Sequence, residues 1–212
     1  MESKKSVVVA VPCDDYQPEK VYEAVRTGIG ALGGLDRFLR PEERVLVKPN
    51  LLKPAEADTA VTTHPAVLRA VLRMLEEYGC ASVRFGDSPG QDTGTHALER
   101  LGFRADEPVF GARLVPMTEE VHVDFQEGLT EKEFWFAKEV TEADAIINVC
   151  KMKTHALMKI TGAVKNPLSS PSRATIMSQK RSMKPFGLES MRLEDFQPFY
   201  ARRSEYSSNR IS

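Results

Sequence analysis

The sequence predicts an α/β fold, a mainly parallel or mixed sheet with helices on both faces, and three observations predict it. Short aliphatic runs such as Val45-Leu46-Val47 and Ile146-Ile147 alternate with longer segments of helical period, the pattern of strand-crossover-strand units. With 212 residues and 42% hydrophobic content, the chain has enough apolar surface for one sizeable core. Polar residues gather just past three of the aliphatic runs, where an open parallel sheet places its ligands.

The elements follow in order. Residues 6–11 are valine-rich and end at Pro12, which predicts a first buried strand. Residues 18–32 keep Val21, Ala24, Val25 and Leu32 at helical spacing; Pro18 suits the first turn, and Gly33-Gly34 stops the helix. Residues 44–47 predict the next strand. The segment TTHPAVLRAVLRMLEEYG, residues 62–79, predicts a helix most plainly. Thr62, Thr63 or His64 caps it, Pro65 fits the first position, and Val67, Leu68, Val71, Leu72 and Leu75 form one apolar face before Gly79. Residues 82–85 predict a strand, followed by a turn and a short helix over 95–101 that Gly102 ends. Residues 113–116, 121–125 and 134–137 predict strands, the last two as a hairpin around Glu127-Gly128, and residues 145–150 the final strand.

Composition changes after Asn166. Residues 167–212 hold ten serines, six arginines and no valine, so nothing there resembles the earlier strands. The division predicted is an α/β domain over 1–166 and a serine- and arginine-rich, solvated tail over 167–212.

A formal net charge of −1 makes the lysine clusters local features, which argues against nucleic acid as a partner. Cys13, Cys80 and Cys150 are widely spaced and odd in number, so no disulfide framework, zinc site or metal site is predicted, and a reducing cytoplasm fits. No apolar stretch reaches the length of a bilayer, and no membrane partner is expected.

The candidate site comes from position. RVLVKPN places Lys48 and Asn50 past one strand, VRFGDSPG places Asp87 and Ser88 past a second, and IINVCKMKTH places Lys151, Lys153, Thr154 and His155 past a third. Lysine is a compact charge suited to phosphate or carboxylate, and the helix N-terminus that His64 introduces adds donors and partial positive charge. Lys165 and Asn166 extend the same polar stretch. Asp87 and His155 are the candidate proton carriers, and the other residues named are candidate ligand contacts. The expectation is an anion-binding crevice, with enzymatic activity left open.

The stretches VLVKPNLL, TTHPAVLRAVLRMLEEYG, GDSPG and INVCKMKTHALMKITGAVKN, in that order, resemble the domain of unknown function 362 family. The resemblance implies an α/β domain and, in many members, a cysteine-rich segment carrying iron–sulfur clusters. This sequence has no such segment, so the cofactor is left unknown. The motifs end at TGAVKN, which suggests a truncated relative whose tail is read from a shifted frame and which associates with a further copy or a partner protein. A redox accessory protein lacking its cluster segment, and a non-functional fragment, stand as alternatives to the anion-binding reading.

Overall fold

The computed structural model describes residues 7–89, 92–124, 133–155 and 159–162. Helix α1 (Pro18–Ala31) starts on Pro18 and buries Val21 and Tyr22. Strand β1 (Arg44–Pro49) follows, then α2 (Pro65–Tyr78), which ends on Gly79 in the left-handed conformation, with φ of 87°. Leu68, Leu72 and Leu75 of α2 are fully withdrawn from water, each worth about 1.5–3 kcal/mol of apolar burial. After β2 (Ser82–Phe85) come α3 (Gly94–Glu99) and β3 (Arg113–Leu114). Next are β4 (Glu120–Asp124), β5 (Glu133–Ala137), the short helix α4 (Lys138–Glu142) and β6 (Ala145–Val149).

Strands β3, β2, β1 and β6 form one sheet in that order, and each neighbouring pair is parallel. From β1 the chain winds outward through β2 to β3, then returns to place β6 on the other side of β1. The winding therefore reverses between β1 and β6. In sheets of this kind the connections on either side of the reversal leave on opposite faces, and a crevice opens outside the carboxyl ends of the two strands.

Strand alternation builds a core on each face. Val45, Val47, Val83 and Phe85 pack with Leu68, Leu72 and Leu75 of α2, with Val21 of α1 and with Leu98 of α3. Leu46 and Ile146 point the other way, towards Phe136 of β5 and Val140 of α4. The β4–β5 pair is antiparallel, as the sequence predicts, and covers this second face. Its turn around Glu127-Gly128 lies outside the described residues, as do the predicted boundary at residue 166 and the tail over 167–212.

Two predictions about elements are corrected. Residues 7–11 form no strand, and Val7 and Val8 are 65% and 87% exposed. A valine-rich run becomes a strand only where a sheet edge pairs with it, and the edges here are β3 and β6. Residues 145–150 are not the last strand: past β6, β7 (Lys153–His155) pairs antiparallel with β8 (Lys159–Thr161). Among the described residues no helix is long and apolar enough to cross a membrane.

Candidate functional site

Thr63, two residues before α2, ties together the two strand ends at the switch point. Its Oγ1 accepts the Asn50 amide past β1 at 2.9 Å and donates to the Val149 carbonyl at the end of β6 at 2.6 Å. The Thr63 amide also donates to the Asn50 carbonyl at 2.9 Å. The entry to α2 is thereby fixed over the gap between β1 and β6.

Beneath it, the Lys48 ammonium donates to Asp87 Oδ1, and both side chains are buried. Asp87 Oδ2 accepts the Leu51 amide at 2.8 Å, so both carboxylate oxygens are engaged. The pair joins the end of β1 to the loop past β2. Gly94, the first residue of α3, lets that helix approach: a Cβ there would lie 2.0 Å from the Asp87 carbonyl oxygen. Ser88 is buried beside Asp87, and Asn50 is buried beside Lys48.

Of the three capping candidates, His64 is the one that caps α2, its Nδ1 accepting the Ala66 amide at 3.1 Å. An imidazole that accepts at Nδ1 is neutral and carries its proton on Nε2. Burial holds His64 below its usual pKa, and the nearby Lys151 ammonium adds to that effect. Tyr16 stacks on the ring with centroids 3.6 Å apart. This corrects the expectation that the helix offers free amides to a ligand. Pro65 has no N–H, Ala66 donates to the His64 ring, and Val67 donates to the His64 carbonyl at 3.0 Å. What α2 projects into the crevice is the positive end of its dipole.

Lys151 and Lys153 flank this entry. The Lys153 ammonium donates to the Val61 carbonyl. Lys151 is half-buried within electrostatic reach of His64, and no carboxylate among the described residues pairs with it. Thr62 is 2% exposed, and its hydroxyl has no hydrogen-bond partner among the described residues.

The structure thus brings together Lys48, Asn50, His64, Asp87, Ser88, Lys151 and Lys153. Thr154 is exposed on β7, next to Lys153. His155 belongs to β7, but its side chain lies outside the described residues, as do Lys165 and Asn166. In the sequence Thr62 and Thr63 read only as capping candidates, and no motif singles out Tyr16. The doubled threonine before His64-Pro65 was the available signal, because a polar pair entering a helix from a strand end has backbone groups to satisfy. The shallow recess formed by Glu99, Phe103, Arg104, Ala105 and Asp106 at the C-terminal end of α3 includes none of these residues.

The three cysteines do not converge. Cys13 is exposed, Cys80 follows α2 and Cys150 follows β6, and no cysteine joins a group of described side chains close enough to hold a metal. An iron–sulfur cluster has no ligand set among them. Burial pushes the Cys80 and Cys150 thiols above their ordinary values.

The sequence profile of the domain of unknown function family DUF362 matches residues 45–201. That match begins at β1, takes in every strand end described above and continues beyond Asn166, where the resemblance read from the motifs ends. A curated relative, a thylakoid-associated protein of Synechocystis sp., is 32% identical over 157 residues, 71% of this chain and 46% of that protein. The chain thus spans just under half the length of that relative. No solved structure matches the chain.

Proposed function

We propose that this chain, which belongs to the DUF362 family, binds a small phosphate- or carboxylate-bearing anion at the carboxyl ends of β1 and β6. The observation that carries the reading is Lys151. A half-buried ammonium stands near the positive end of α2 without an acidic partner among the described residues, and Lys153 lies on the same side of the crevice. The Lys151 charge beside the positive end of a helix dipole favours an anion in the gap between them.

In this reading Lys151 supplies the main charge, and the Thr62 hydroxyl is the buried donor that gains a partner. Neutral His64 can donate from Nε2 without bringing a third full charge. Lys48, whose charge is already met by Asp87, does not contact the anion but holds β1 to the loop past β2. Asp87, with both oxygens engaged, holds the floor and does not act as a base.

Isothermal titration of the full chain with inorganic phosphate and with small mono- and dicarboxylates tests the reading. Saturable binding of at least one anion is expected, weakened by Thr62→Val and abolished by Lys151→Met. Heat effects that never saturate, or an affinity indifferent to Lys151→Met, would overturn it.

A further inference from the structure

The outward face of the β4–β5 pair carries three metal-ligating side chains that the crevice does not use. Asp124 lies directly opposite Glu133 in the register, and His122 lies opposite Trp135. His122 Nε2 is 3.4 Å from Glu133 Oε2 and 3.8 Å from Asp124 Oδ1, and one donor atom from each of the three residues falls within 4.8 Å of the others. Donors bound tetrahedrally at about 2.0–2.2 Å from one ion stand about 3.4 Å apart, so the spacing needs little adjustment to close on a metal. We propose that His122, Asp124 and Glu133 bind a divalent first-row transition ion, zinc or one of its neighbours, with its remaining positions open to water.

Three physical points support the assignment. Two carboxylates directly across an antiparallel pair repel one another, and a dication between them turns that repulsion into attraction. The donors stand on paired strands whose other face is anchored, Val123 packing against the core formed by Leu46, Met117 and Phe136, so ordering them costs less than it would on a loop. One imidazole nitrogen with two carboxylate oxygens is a borderline set that suits zinc, cobalt, nickel or manganese, whereas calcium takes six to eight oxygens. All three side chains are exposed, His122 at 37%, Asp124 at 67% and Glu133 at 68%, which leaves the ion a path in.

Trp135 makes the site observable. It is the one tryptophan of the sequence, and its ring centroid is 4.9 Å from that of His122. Nickel titrated into the metal-free chain should quench Trp135 fluorescence saturably at one ion per chain, and zinc should reverse the quenching. Asp124→Asn with Glu133→Gln should weaken binding by at least about tenfold while keeping the side-chain shapes. His122→Ala should abolish saturable quenching, and His96→Ala should titrate as the unmodified chain does. Quenching that stays unsaturated into the millimolar range overturns the proposal, as does an unchanged nickel affinity in both the Asp124→Asn/Glu133→Gln and His122→Ala variants.

Discussion

Lys48 on β1 and Asp87 past β2, thirty-nine residues apart in sequence, meet as an ion pair with side-chain exposures of 1% and 0%. Such a pair fixes the relative position of two strand ends, because either charge alone in that place would be buried without compensation. Asp87→Leu and Lys48→Met should each destabilise the chain by about 3–5 kcal/mol, and the two combined by less than the sum. Urea unfolding of the four proteins measures the coupling. Single variants within about 1 kcal/mol of the parent chain would show that the pair does not hold the strand ends.

Gly94 should be irreplaceable for steric reasons. Its missing side chain leaves room for the Asp87 carbonyl, and the atom a Cβ would strike is backbone, which cannot rotate aside. Gly94→Ala is expected to lower stability by about 1–3 kcal/mol or more through displacement of α3. The control is Gly30→Ala, since a Cβ at Gly30 meets nothing within 4 Å. That substitution, within α1, should be neutral or stabilising.

Thr63→Val removes a donor and an acceptor while keeping the shape. The Asn50 amide and the Val149 carbonyl would each lose their Thr63 partner, at about 1–3 kcal/mol apiece, whereas Thr63→Ser keeps both bonds. Hydrogen exchange at Asn50 should accelerate in Thr63→Val and not in Thr63→Ser. Equal exchange in the two variants would contradict the bridging role.

His64 sets a pH dependence. Its native pKa lies below the ordinary 6.5, so between those two values the unfolded chain binds more protons than the native one. Stability is therefore complete above about pH 6.5 and is lost as pH falls through the lowered native value, where protonation of Nδ1 removes the acceptor for the Ala66 amide. His64→Asn retains a capping side chain without the titration. The difference in unfolding free energy between the parent chain and His64→Asn should change sharply across that window, and a difference that is flat with pH would contradict the assignment.

The sequence carried the strands and helices that have strong periodicity. Leu68, Val71, Leu72 and Leu75 announce α2, and Lys48 near the end of β1 meets Asp87 past β2. What remained hidden depends on long-range partners. Nothing within RVLVKPN says that Lys48 turns inward, since that requires Asp87. Strand propensity at Val7 and Val8 is no different from that at Val45, and only the availability of a neighbouring strand separates them. TTHP offered three capping residues, and the choice of His64 follows from Thr63 being occupied by the ends of β1 and β6.

The most direct test of the anion crevice is unfolding of the full chain with and without phosphate, in parallel with Lys151→Met. A ligand present at about one hundred times its dissociation constant adds about 2.7 kcal/mol to the native state. The account predicts a gain of that size for phosphate or a small carboxylate in the parent chain and none in Lys151→Met. An equal gain in both proteins, or no gain from any of these anions, would contradict it.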